Sequence, residues 1–281
     1  MMESRKKSRA IQHGLLYSVL TVSSFTFLVP MLWVLSTSLK RNAEVFQQPI
    51  VWIPRDPQWQ NYLEIFRLLP FGRFIWNTLV ITVLGTIGVL LSSLFVGFSL
   101  SRLRWPGRDV VFVMLLGTMM LPEVTLLVPQ FVIYKYLRWL DTFYPLIVPS
   151  WFGWAFYHFL MRQFMMGIPY ELDEAARVDG ASSFRILWQL LAPNCKPVLA
   201  TIAIFSFLAH YNDFMAPLIF LSSNYKFTIA LGLYFFSGRW GNFWNLVMAA
   251  SMVTLAPPVI LFFLAQRYFV QGIQFSGLAG R

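Results

Sequence analysis

The chain has 281 residues, 57% of them hydrophobic and 12% charged, with a mean hydropathy of +0.60. A water-soluble domain carries roughly a quarter of its residues as charges, so this composition excludes an ordinary soluble domain and leaves a membrane protein. The formal net charge of +10 would suit nucleic acid, but the Lys and Arg residues lie in short segments between apolar runs, a pattern of membrane topology that predicts no nucleic-acid partner.

Residues 1–13 form a basic N-terminus containing Arg5, Lys6, Lys7 and Arg9. After it, residues 14–281 read as a single transmembrane domain with spans at 14–39, 74–101, 109–134, 142–162, 197–220 and 242–266. Crossing a hydrocarbon core about 30 Å thick takes about 20 helical residues, so the third and fifth runs must continue past Glu123 and Asp213 to reach that length. Barrel strands would show alternating segments of about ten residues. These runs are apolar on all sides, and a helix satisfies its own backbone polar groups, as lipid demands. The expectation is an all-α membrane protein with six transmembrane helices. The first run exceeds the roughly 7 to 15 residues of a signal-peptide core and lacks a small-residue cleavage pattern, which predicts that it is retained.

Arg102, Arg104 and Arg108 follow the second run, and Arg162, Arg177, Arg185 and Lys196 follow the fourth. With six crossings these share a side with the basic N-terminus, and the positive-inside rule makes that side the cytoplasm; both termini are then cytoplasmic. The opposite segment mixes Lys40, Arg41, Arg55, Arg67 and Arg73 with Glu44, Asp56 and Glu64. Within it, Gln47 to Asn61 contains Pro49, Pro54 and Pro57 and reads as an irregular loop, while Tyr62 to Leu69 suits a short amphipathic helix. Trp33, Trp52, Trp59, Trp76, Trp139, Trp151 and Trp240 fall where aromatic belts form.

The loop 168–193 is patterned as two short helices. Pro169 suits a first helical turn, Glu171, Asp173 and Glu174 complement the positive end of a helix dipole, and Gly180 supplies a left-handed ending. Ser182 or Ser183 can cap the second helix. Leu172, Ala175, Ala176 and Val178 or Asp179 share one small apolar face, flanked by Glu174 and Arg177.

Ionisable groups within lipid mark a pathway or a pairing site. Glu123 beside Pro122, and Asn212 and Asp213 before Pro217, are the candidates; counted at 1.5 Å per residue, both acids lie about 20 to 25 Å in, toward the outer half. His210 and Asp213, three apart on one helix, form a pair that a proton relay would use. Otherwise His13, His158 and His210 are scattered and expected to pack rather than ligate. The chain has no G-x-x-x-x-G-K-[ST] phosphate loop, no HExxH or paired His/Cys metal spacing and no GxSxG elbow, so no enzymatic role and no resident cofactor or metal are expected. Cys195 is the only cysteine, which excludes an intrachain disulfide.

Glu174-Ala175-Ala176, Gly180 and Leu190-Leu191-Ala192-Pro193 resemble the EAA loop of ABC import permeases, with Leu190 replacing the usual Ile and Ala192 the usual Leu. Nearly the whole chain is similar to the smaller permease of the maltose-type carbohydrate importers, through Pro30-Met31-Leu32-Trp33, Ser36 to Lys40, Asn77-Thr78-Leu79, Arg102 to Arg108, Tyr211-Asn212-Asp213-Phe214, Pro217-Leu218 and Gln266 to Gly272. Tyr211 stands where Trp is common, and the tail ends Gly277-Leu278-Ala279-Gly280-Arg281 rather than Lys-Gly. The resemblance implies a bacterial inner-membrane subunit that pairs with a second, homologous permease. It implies two ABC ATPase subunits that use ATP and Mg, an external solute-binding protein and a sugar as substrate. It assigns ATPase coupling to Glu174, Ala175, Ala176, Asp179, Gly180 and Pro193. It places Glu123, Tyr211, Asn212 and Asp213 as candidates for the translocation path, and it brings the tail 267–281, with Gly277 and Gly280, toward the ATPase. The alternatives are a permease for a polyamine or other small solute, and a proton-coupled carrier using Glu123, His210 and Asp213.

Overall fold

The computed structural model describes the backbone of residues 2–278 and the side chains of residues 13–239, 241–264 and 266. It is helical, without strands among the described residues. Helix α1 spans Met2–Ser38, continuing through the basic N-terminus and the first apolar run without a break. Then come α2 (Gln60–Leu68), two residues ahead of the expected start, and α3 (Phe71–Arg102). Helices α4 (Arg108–Thr118) and α5 (Glu123–Tyr136) follow, then α6 (Tyr144–Phe152) and α7 (Ala155–Met166). The next segment holds α8 (Glu171–Val178), α9 (Ser183–Arg185), a π-helical stretch at Ile186–Leu191, and α10 (Ala192–Asn194). Helices α11 (Lys196–Asn212), α12 (Met215–Phe220), α13 (Ile229–Trp240) and α14 (Trp244–Leu278) complete the chain.

Three helical stretches are long and apolar enough to cross a membrane: His13–Ser38, Phe71–Arg102 and Trp244–Leu264. The third expected span is a bent pair, α4 with α5 at 102°. A second bent pair joins Ser183–Asn194, in the expected loop, to α11 at 78°. Among the described residues, counting each pair as one span gives five, while the expected span 197–220 is itself divided at Asp213 between α11 and α12. Pro122 accounts for the first bend, since proline disfavours helical geometry in the residue before it and itself sits extended at ψ 128°. The expected span at 142–162 is also divided. Gly153, at φ 80°, stops α6, and a side chain there would lie 2.0 Å from Nε2 of His158. Helix α14 continues to Leu278, and its side chains beyond Gln266 lie outside the described residues.

The chain divides into two units. One combines the N-terminal residues through Pro70 with Leu233–Leu255. Its ordered centre is polar. Asn61 donates to the carbonyls of Ser38 at 2.8 Å and Lys40 at 3.0 Å, and accepts from Asn245 at 3.2 Å. Ser38 bonds the Tyr62 hydroxyl at 2.7 Å. Lys40 is fully buried, its ammonium 4.1 Å from the centre of the Trp33 ring.

The other unit joins Phe71–Gly232 to the chain from Ala256 onward. Helix α3 is its axis, packing against α6, α7 and α11. Lipid gives helices little hydrophobic reason to associate, so close packing and interhelical hydrogen bonds hold them. Gly97 meets the first need: a side chain there would sit 2.5 Å from Cγ of Met161. His210 meets the second, bonding Ser150 at 2.8 Å and the Ser206 carbonyl at 2.8 Å, while stacking on Trp154. At one end, Asn77 donates to the carbonyls of Tyr225 and Phe227 at 2.9 and 3.0 Å. Nearby, Asp141 accepts from both backbone and hydroxyl of Ser223, from the backbone of Ser222 and from Lys226. Partial burial works against the Asp141 charge, but these donors outweigh it and hold the carboxyl well below the usual carboxylate range.

Two consequences are measurable. Asn61→Leu strands two buried carbonyls and should destabilise the protein by about 2 kcal/mol, seen as a lower melting temperature in detergent; Asn212→Leu, which removes only a bond within its own helix, should not. Because a depressed carboxyl gives stability that is lost only as pH falls through its folded pKa, the protection of the Ser222 and Ser223 amides from hydrogen exchange should persist below about pH 4. Asp141→Asn should show weak protection at every pH.

Candidate functional site

The segment between α7 and α11 presents a compact, closed shape on one side and buries itself on the other. Glu171, Asp173 and Glu174 occupy the first turn of α8 and Arg177 the last, the order a helix dipole favours. Gly180, at φ 80°, ends the helix. The Ala181 amide bonds the Ala176 carbonyl at 2.9 Å and the Gly180 amide bonds that of Arg177 at 3.0 Å, the paired ending that satisfies two free carbonyls. The hydroxyl of Ser182, rather than Ser183, accepts from the Arg185 amide at 3.3 Å and caps α9. Pro169 lies ahead of α8 instead of in its first turn.

The expected apolar face is split. Ala176 packs against the core formed by Val89, Phe98, Met161, Met165 and Leu187, while Leu172, Val178 and Phe184 stand exposed at 43%, 87% and 64%. Glu174, Ala175, Asp179, Gly180 and Pro193 are also exposed. The second half of the loop goes inward, since Ile186, Leu187, Leu191 and Cys195 are all buried. The Cys195 thiol is fully shut away from solvent.

What holds the exposed half in place is a pair that sequence reasoning missed. Arg102, the last residue of α3, and Asp173 of α8 are both buried, with Nε and Oδ2 3.5 Å apart. The same guanidinium donates to the carbonyls of Met165 at 2.7 Å and Ile168 at 2.8 Å, one in the last turn of α7 and the other two residues past its end. One side chain thereby fastens α3, α7 and α8 together. Burial raises the Asp173 carboxyl above the usual carboxylate range, and Arg102 and then Arg177 pull it part of the way back. In the sequence, Asp173 is one of three acids at a helix start and Arg102 one of a basic group, and nothing in their spacing joins them.

The intramembrane candidates separate. Glu123 starts α5 and is exposed. It lies within electrostatic range of both His210 and Asp213. Tyr211 is buried and stacked on Phe207, whereas Asn212 is exposed and bonds within α11. Asp213 does not share a helix face with His210, because its extended backbone ends α11; its carboxylate accepts from the Ala216 amide at 3.3 Å instead. Gly277 falls in α14 where side-chain surroundings are outside the described residues, as is Gly280 altogether. No group of three or more metal-ligating side chains occurs among the described residues.

Residues 90–275, which contain this loop, match the model of the binding-protein-dependent transport system inner membrane component. The chain belongs to that family. It is 31% identical to the sulfoquinovosyl glycerol transport system permease protein of Agrobacterium fabrum, over 90% of this chain and 89% of that one. It is also 31% identical to the arabinooligosaccharides transport system permease protein of Halalkalibacterium halodurans, over 98% and 100%. A chain of a solved bacterial ABC transporter involved in importing the acidic polysaccharide alginate superposes with a TM-score of 0.80 at 25% identity, covering 93% of this chain and 98% of that one. The protein is thus a membrane transport component with several apolar helices.

The Arg102–Asp173 pair makes a prediction. Arg102→Met leaves a buried carboxylate and Asp173→Asn leaves the buried Arg102 guanidinium without its counter-charge, so each should cost about 3 to 5 kcal/mol. Trypsin cleavage after exposed Arg177, followed in detergent, should be faster in both variants than in the wild type; equal rates in the wild type and both variants would count against the fastening role.

Proposed function

We propose that this chain is one of two permease subunits of an ATP-driven ABC importer of the bacterial inner membrane, forming half of the path for a sugar or oligosaccharide. In this reading the chain crosses the membrane six times, the bent pairs and the divided α6–α7 segment each counting as one crossing, with both termini cytoplasmic. A homologous permease pairs with it and a solute-binding protein delivers cargo from outside. Two ATPase subunits, which carry the ATP and Mg that this chain has no phosphate loop to hold, sit beneath.

The observation that carries the reading is the loop of α8 and α9. It places exposed apolar Leu172, Val178 and Phe184 beside Glu174, on a frame fastened to α3 and α7 by Arg102. An exposed apolar face on a rigid support suits docking into a partner, and its fastening to two membrane helices suits passing motion onward. Sugar as cargo is supported by two relatives and a solved structure whose names concern sulfoquinovosyl glycerol, arabinooligosaccharides and alginate. Another relative, 31% identical, is named for sn-glycerol-3-phosphate, which keeps a small non-sugar solute as the alternative. Glu123, Asn212 and Asp213 are proposed to line the path; Tyr211, being buried, would support its wall.

In proteoliposomes containing the assembled transporter, uptake should require ATP and survive a proton ionophore. Glu174→Lys and Ala176→Trp should each abolish uptake and ATPase docking while membrane insertion is retained. Uptake that outlasts ATP depletion and collapses with the proton gradient would instead indicate a carrier using Glu123 and Asp213. Calorimetric titration of sugars into the cognate binding protein tests the cargo, and a protein that binds polyamines but no sugar would overturn that choice.

A further inference from the structure

Helix α2 turns three strips to three different surroundings. On a helix, positions i, i+4 and i+7 fall in one strip. Asn61 and Ile65 make the strip buried in the protein. Gln60, Glu64 and Arg67 make an exposed polar strip. Trp59, which precedes the helix with helical dihedrals of φ −60° and ψ −23°, begins an apolar strip with Leu63 and Phe66, exposed at 67%, 64% and 45%. The apolar strip lies about 100° round the helix from the polar one, so the outer side of α2 is divided lengthwise between apolar and polar halves.

Hydrogen bonds fix the level at which α2 stands. The stretch of α1 long and apolar enough to cross a membrane ends at Ser38. The Gln58 amide bonds the Leu39 carbonyl at 2.8 Å, Asn61 grips the carbonyls of Ser38 and Lys40, and the Tyr62 hydroxyl bonds Ser38. Trp52, edge-on to Trp33 of α1 at 5.3 Å, stands near the same level, where membrane tryptophans collect. At the other end of α2, Leu68 comes three residues before Phe71, where the next membrane-length helix begins. Both ends of α2 are therefore tied to the limits of spans.

We infer that α2 lies in the surface of the bilayer, with Trp59, Leu63 and Phe66 among the upper acyl chains and Gln60, Glu64 and Arg67 turned to the headgroups and water. A helix divided lengthwise in this way sinks its apolar face about 5 to 10 Å into the headgroup boundary. Lipid is the occupant because the strip stands where the spans leave the bilayer, and because an indole, with an apolar body and one N–H, matches that boundary. The inference needs only that α1 crosses the membrane, and it holds whether or not transport is driven by ATP.

The test places single nitroxide-labelled cysteines in the assembled transporter in phospholipid nanodiscs. Collisions with oxygen, which concentrates among acyl chains, are compared with collisions with a water-soluble nickel chelate. Buried Cys195 stays unlabelled, and retention of the assembled complex checks the folding of each variant. The oxygen-to-nickel ratio should be about tenfold higher for Leu63→Cys than for Glu64→Cys, and Leu28→Cys on α1 should match or exceed Leu63→Cys. Equal ratios at 63 and 64 would overturn the inference by placing the strip in water. A label at 63 that neither reagent reaches would overturn it by placing another subunit over the strip, and a nickel-accessible label shielded on adding the solute-binding protein would assign the strip to that protein. A ratio at Leu28→Cys as low as that at Glu64→Cys would remove the crossing of α1 and this inference together.

Discussion

A guanidinium shut away from water needs both its charge and its donors met by protein, because an unmet ion costs several kcal/mol. Asp173 meets the charge of Arg102, and the carbonyls of Met165 and Ile168 take up its Nη2 donors. Those partners belong to α8 and to the end of α7, so the requirement of one side chain fixes where the exposed loop stands relative to the bundle. Without the pair, α8 would be an eight-residue helix, too short to persist in water by itself. With it, the loop becomes a short rigid extension of α3 and α7.

The bundle follows a related logic. Where helices stop inside the apolar region, side chains take over the backbone groups set free. Asp213 receives the Ala216 amide after α11 ends. Asn77 and Thr78 hold the carbonyls and amide of the 225–229 stretch. Ser150 and His210 join α6 to α11 near the α6–α7 break. Breaks of this kind are tolerated at membrane depth where protein or a water-filled cavity surrounds them, which is the setting of a translocation path.

These two arrangements answer different parts of one task. A fastened loop on one side takes up movement, and divided helices supply places where the bundle can yield.

Much of this was legible in the amino-acid order because it depends on local rules. Apolar run lengths announced helices in lipid, Gly180 the ending of α8, Ser182 a cap, and Glu174-Ala175-Ala176 the family. Run length could not show that the chain would break at Pro122, Gly153 and Asp213 within three of those runs, because the breaks depend on what packs across them. Nor could local pattern separate His210, held by Ser150 and Ser206, from a proton relay with Asp213. The joining of Arg102 to Asp173 belongs wholly to tertiary structure: it arises only when α3, α7 and α8 meet, and either residue alone looks like an ordinary surface charge.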